Sequence, residues 1–250
     1  MRIKSVLLSL SAVAALSASV ADAAPILVTN GNFELTTNGS NKQLSYTAGV
    51  ANRTTLVGWT SYNGNDGGYN FLLNPSIATT TASAIMLKGN NNGFGASPGG
   101  GNVFASDALY HPGLLFQTIS GLTVGTDYTL SFSYALSQQA GFNGDNANNY
   151  WQVGLGSTYK TSTFQDSGKL SIANGGFSGW QTASMTFTAT STSEILSFLA
   201  KTSSSGAPPF LLLDDVKMAS KVPEPSTLSL LLGGIGLAGF AARRRRNKRA

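Results

Sequence analysis

The residue types best suited to chemistry in this chain are aromatic rings set among amides. Trp59, Tyr62, Tyr69 and Phe71 crowd a stretch rich in Gly and Asn that also holds Asp66. Tyr150 and Trp151 follow a second Asn-rich segment, and Trp180 follows a glycine-rich one. Flat aromatic faces stack on the C–H-rich surfaces of pyranose rings while amides and carboxylates bond the hydroxyls, so this inventory suits sugar recognition. The candidate ligand-binding set is Trp59, Tyr62, Asp66, Tyr69 and Tyr150. Large aromatics also supply core volume. On bulk alone Trp59, Trp151 and Trp180 are expected to fill the core, with Tyr62 and Tyr69 exposed.

Catalytic groups are scarce. His111 is the sole histidine, it precedes Pro112, and no nucleophile is placed for it to activate. Residues 95–99 spell G-x-S-x-G around Ser97, but that elbow needs a helix after it, which Pro98 and the following glycines prevent. A glycosidase sets two carboxylates across a cleft. Asp66, Asp107, Asp127, Asp145, Asp166 and Glu194 show no pairing by spacing. The chain is expected not to be an enzyme, with an extracellular polysaccharide hydrolase as the alternative.

The elements that must position these side chains read as strands. Tyr128, Leu130, Phe132 and Tyr134 alternate with polar residues, as do Met185 and Phe187, and no segment sustains a 3.6-residue period. Further strands are expected at 26–29, 33–36, 57–60, 84–88, 114–119, 150–155, 195–201 and 210–218. Turn chemistry separates them, as at Asn143-Gly144-Asp145-Asn146 and Asn174-Gly175-Gly176. About ten short strands without a helix predict an all-β chain, an antiparallel β-sandwich. Two long segments, 38–56 and 89–101, are expected to be functional or mobile. Cysteine is absent, so the fold must be held by core burial or metal.

Both ends carry address labels. Arg2 and Lys4 precede an apolar run from Val6 to Val20 and the Ala21-Asp22-Ala23 cleavage pattern, which predicts a signal peptide at 1–23 and a signal peptidase partner. At the other end, Val222-Pro223-Glu224-Pro225 is followed by an apolar stretch and then Arg243, Arg244, Arg245 and Arg246. Guanidinium groups resist crossing the bilayer, so this is a stop-transfer element. Its apolar run, Leu228 to Ala242, makes about 22 Å of helix against ~30 Å of hydrocarbon. That suits a transient anchor, a short transmembrane helix at about 226–242 before the basic end at 243–249. In the body between, residues 24–221, eight lysines and arginines face nine acids. The basic balance of the whole chain therefore belongs to targeting and not to a nucleic-acid partner.

The order Pro-Glu-Pro, apolar run, arginine cluster resembles the PEP-CTERM sorting tail. The resemblance implies cleavage by an exosortase-type membrane enzyme and delivery of the body to the cell surface or the extracellular matrix of a biofilm. Some proteins with similar tails bind ice, which makes an ice-binding protein a third reading. The Thr-x-Thr ladder of an ice-binding face is missing here, and Thr79-Thr80-Thr81 does not replace it. Within the body, Asn30-Gly31-Asn32-Phe33-Glu34, Gly58-Trp59 and Leu213-Asp214-Asp215-Val216 resemble the galactose-binding-like jelly roll, which includes many carbohydrate-binding modules. That resemblance implies a non-catalytic domain with an extracellular polysaccharide as partner. It also implies a structural calcium ion held by Glu34 with Asp214 or Asp215, since Ca²⁺ takes six to eight oxygen ligands. Neighbouring strand residues point to opposite faces, so one aspartate is expected to turn inward, with Asp214 preferred.

Overall fold

The structure, a computed structural model, describes residues 26–221 apart from 65, 90, 161, 162, 204 and 205. The expected signal peptide and the sorting tail with its membrane helix lie outside the described residues.

Thirteen strands are found among the described residues. They are β1 Lys42–Leu44, β2 Arg53–Thr54, β3 Thr60–Tyr62, β4 Asn70–Leu73, β5 Val103–Asp107, β6 Leu114–Ser120 and β7 Asp127–Gln138. The remainder are β8 Asn146–Gly156, β9 Thr163–Asp166, β10 Leu170–Ile172, β11 Gln181–Thr188, β12 Ser193–Lys201 and β13 Pro209–Ser220. Seven form one sheet in the order β11-β7-β13-β5-β4-β1-β2. The other sheet runs β10-β8-β12-β6-β3, with β9 paired to β8. All pairs are antiparallel except β1 with β2. This is the expected β-sandwich.

The two sheets enclose an aromatic core. Tyr128, Leu130, Phe132 and Tyr134 of β7 all face inward, as their alternation requires. Phe33 packs on Trp59 at 5.6 Å and on Phe104 at 5.9 Å, and Phe104 meets Trp151 at 5.9 Å. A second core lies on the outer face of the seven-stranded sheet. There Phe71, Val103, Ala105, Phe210 and Leu212 are covered by Ala78, Ile85 and Leu87. Phe94, Phe177 and Trp180 pack against that layer. The glycine-rich stretch 89–101 is thus a cover for the sheet: Trp180 Nε1 donates to Gly95 O at 3.1 Å, and Asn92 Nδ2 donates to Gly175 O at 2.9 Å.

Burial on both faces explains the strands that alternation did not mark. β4 and β5 are buried at every residue, so their apolar positions do not alternate with polar ones. Four expected strands are irregular instead. Residues 26–29 run beside β13 with Leu27 N bonded to Met218 O at 2.8 Å, and 33–36 follow a turn closed by Phe33 N to Asn30 O and keep one bridge, Thr36 to Leu56. Residues 84–88 keep one bridge, Leu87 to Gln139, and the strand expected at 57–60 starts only at Thr60.

The three short motifs of the body converge. Asn30 Nδ2 donates to Leu35 O and Val57 O, and Trp59 Nε1 donates to Asn30 O. Val216 N donates to Gly31 O at 2.9 Å, and a Cβ on Gly31 would fall within the radius of the Val216 carbonyl oxygen. Gly31→Ala is therefore expected to destabilise the protein by about 3 kcal/mol, since the obstacle is backbone. A fall in the urea midpoint with an unchanged slope measures it.

Candidate functional site

Two loops cross at one end of the seven-stranded sheet. Residues 63–69 enter β4 and residues 108–113 join β5 to β6. Tyr69 N donates to His111 O at 2.8 Å, and Asn70 Nδ2 donates to Gly113 O at 2.9 Å. Asp66 closes the first loop by accepting from Gly68 N at 2.8 Å. Gln43 of β1 donates to Gly68 O at 2.9 Å, and Arg53 of β2 donates to Leu44 O at 3.0 Å.

Between these residues lies a cleft of about 520 Å³, lined by Gln43, Arg53, Asn63, Asp66, Tyr69, Tyr110 and His111. The Tyr69 and Tyr110 rings meet edge to face at 5.3 Å, and Tyr110 meets His111 at 4.5 Å. Tyr110 is 57% exposed, so a ring face is open to a ligand. Burial first, then the nearby Asp107 and Tyr110, push the Tyr69 hydroxyl pKa up, so it remains a hydrogen-bond donor at neutral pH. Aromatic faces, amides, one carboxylate and one guanidinium thus line a single polar recess.

Of the five residues expected to bind ligand, Asp66 and Tyr69 meet here. Tyr62 lies elsewhere, between Tyr46 at 5.3 Å and Tyr159 at 6.0 Å, and Tyr150 sits under Lys169 at 5.6 Å. Trp59 meets the core expectation and leaves the ligand-binding set: it is 5% exposed and packed on Phe33 and Phe198, so it has no face to offer a ligand. Its bulk and its bond to Asn30 O hold it inside. Trp151 is fully buried, with Nε1 donating to Leu212 O at 3.1 Å, while Trp180 is half-buried over the second core. Gln43, Arg53, Asn63 and Tyr110 were not expected. The signal for Tyr110 was available, since Tyr110-His111-Pro112-Gly113 is a turn-forming sequence carrying aromatic side chains.

Glu34, Asp214 and Asp215 do not line this cleft. Asp214 is fully buried, and its Oδ1 has no hydrogen-bond partner. Ser97, the serine of the G-x-S-x-G pattern, is buried and donates to Asp214 Oδ2. Glu34 accepts from Asn102 N at 2.5 Å and from Asn102 Nδ2 at 2.7 Å. Gly101 brings backbone so close that a Cβ there would overlap Glu34 Oε1. Burial, with the charges of Asp215 and Glu34 adding to it, pushes Asp214 up to about 6. Asp215 sits at φ 54° in a bulge of β13 and turns to Lys217, whose Nζ lies 2.7 Å from its Oδ1.

The structure therefore distinguishes the two aspartates by orientation. Among the described residues no three His, Cys, Asp or Glu side chains gather in metal-binding geometry. Glu34 and Asp214 are a two-carboxylate set that oxygens of the 97–102 segment would have to complete. An orphaned buried carboxylate oxygen beside such a segment fits a hard cation such as calcium.

These observations define the class: a β-sandwich with a polar, aromatic cleft. Residues 221–246, which include Val222-Pro223-Glu224-Pro225 and Arg243 to Arg246, match the PEP-CTERM protein-sorting motif. The motif marks the chain as an exported protein that passes through the membrane and is processed by an exosortase-type enzyme.

No curated protein matches the chain in sequence. Among solved structures, it is similar to TmCBM61 in complex with β-1,4-galactotriose, at 10% identity over 79% of this chain and 99% of that one, TM-score 0.40. It is also similar to the CBM22-1 xylan-binding domain of Paenibacillus barcinonensis Xyn10C, at 12% identity over 82% and 100%, TM-score 0.37. A Stig cyclase, Fisc from Fischerella sp. TAU, is similar at 17% identity over 81% and 100%, TM-score 0.42.

Proposed function

We propose that the processed body is a non-catalytic glycan-binding domain, displayed at the cell surface or in the extracellular matrix after transient passage through the inner membrane. The cleft between Tyr69 and Tyr110 carries this reading. Its open ring face suits a pyranose, and Gln43, Asn63, Asp66 and Arg53 supply acceptors and donors for hydroxyls. Among the described residues Asp66 is the one carboxylate that lines the cleft itself. A structural calcium ion held by Glu34 and Asp214 would fix the 97–102 segment to the end of β13 and neutralise a buried charge.

The test is binding without turnover. The processed protein should be retarded in gels containing soluble polysaccharide and should release no reducing sugar from it. Tyr110→Ala removes a stacking face and is expected to weaken binding roughly tenfold, on the order of 1 kcal/mol. Retardation that Tyr110→Ala leaves unchanged would refute the cleft assignment. Released reducing ends would move the protein to the hydrolase reading.

A further inference from the structure

Tyr69 and Tyr110 also wall a second recess, of about 360 Å³, whose remaining lining is Asp107, Leu109, Gln139, Phe142 and Pro208. The two recesses share Tyr69 and Tyr110 as a common wall and so lie side by side. Their chemistry differs. Leu109, Tyr110 and Phe142 are 47%, 57% and 47% exposed, so three large apolar side chains stand open to water around one small space.

At the wall of this apolar recess is one buried acid. Asp107 ends β5 and pairs in register with Phe210, on the face that carries the second core. It is 1% exposed. Its Oδ1 accepts from Leu109 N at 2.8 Å and from Tyr110 N at 3.1 Å, which fixes the carboxyl and shapes the turn. Its Oδ2 is buried and has no partner. A buried oxygen left without a hydrogen bond costs free energy that a ligand donor would recover.

An occupant must therefore bring an N–H or O–H donor to Asp107 Oδ2 and a small apolar group to Leu109, Phe142 and Pro208. It must also be attached to something that suits the polar cleft. A neutral hexose brings the hydroxyl without the apolar group. A free amino sugar brings a charged, strongly hydrated ammonium. An N-acylated amino sugar brings an amide N–H and a methyl on a pyranose ring. We infer that this recess is a subsite for the acetamido group of an N-acylated amino sugar, which rests on the glycan-binding reading and names the class of glycan.

The test is titration of the processed protein, followed by NMR, with methyl glycosides of N-acetylglucosamine and N-acetylgalactosamine, their free-amine forms, and glucose and galactose. At least one acetamido sugar is expected to bind tenfold or more tightly than its amine and its parent hexose. Asp107→Asn keeps the Oδ1 acceptor of the turn but puts a donor in place of Oδ2, and should erase that preference. Phe142→Ser, at an exposed position where folding is not at stake, should reduce it about threefold. Equal binding of all sugars, a preference for the amines, or a preference that survives both substitutions overturns the subsite. If the polysaccharide gels also show no binding, the glycan reading itself falls. Retardation in those gels without an acetamido preference removes the subsite alone.

Discussion

Chelating calcium from the processed protein at pH 7.5 is expected to lower its melting temperature by roughly 5–10 °C, and Asp214→Asn to abolish the difference. A site occupied at a hundred times its dissociation constant stabilises by about 2.7 kcal/mol, and each kcal/mol moves a domain of this size by about 2–4 °C. The metal-free protein has to keep Asp214 charged with Oδ1 unbonded and two carboxylates nearby. Its folded pKa of about 6 lies above the unfolded value near 3.9. Between those values the native state holds more protons than the unfolded one. The stability that protonated Asp214 allows is therefore fully present below about pH 4 and lost as pH rises through 6. Allowing for residual solvation, the loss is about 2 kcal/mol. Asp214→Asn removes that loss, so in chelator at pH 7.5 the variant should melt above the wild type. Calcium affinity should fall below pH 6, where the proton competes for the same oxygen. Identical melting with calcium and with chelator would end the calcium proposal, whatever the variant does.

What the sequence made legible follows from where burial is one-sided. The first half of β7, residues 127–132, and β11 have one face on the core and the other more open, so Tyr128, Leu130, Met185 and Phe187 announce themselves by alternation. β4 and β5 lie between two apolar layers, and Val103-Phe104-Ala105-Ser106-Asp107 reads from the sequence as an unpatterned stretch. The second layer arises because 74–102 folds back over the sheet, a contact between distant residues that no local period records. The same limit governs the site. Asp66 and Tyr69 share one loop and could be seen together, while Gln43, Arg53 and Tyr110 join them only through strand pairing and a loop crossing. Glu34 and Asp214 lie 180 positions apart and are paired in the sequence by motif resemblance alone, and only the bulge at Asp215 decides which aspartate turns in.

Gly68→Ala is expected to eliminate measurable polysaccharide binding while leaving the sandwich folded. Gly68 holds φ +73°, where an alanine is strained by about 1–2 kcal/mol. Its added Cβ would also lie 2.5 Å from Gly113 Cα and 2.8 Å from Gly113 N, where both obstacles are backbone. The loops 63–69 and 108–113 must then separate, and the Tyr69 N to His111 O bond and the Tyr69–Tyr110 ring contact go with them. Because two stacking faces and the Gln43 anchor on Gly68 O are displaced together, the loss should exceed a hundredfold, about 2.7 kcal/mol. Gly64 provides the control. It lines the same cleft at φ +75°, but a Cβ there meets nothing within 4 Å. Gly64→Ala thus carries the backbone strain without the clash, and its binding should fall tenfold at most. If both variants lose binding equally, strain in the 63–69 loop accounts for the effect and the crossing does not. If Gly68→Ala binds as the wild type does, the ligand lies away from Tyr69 and Tyr110.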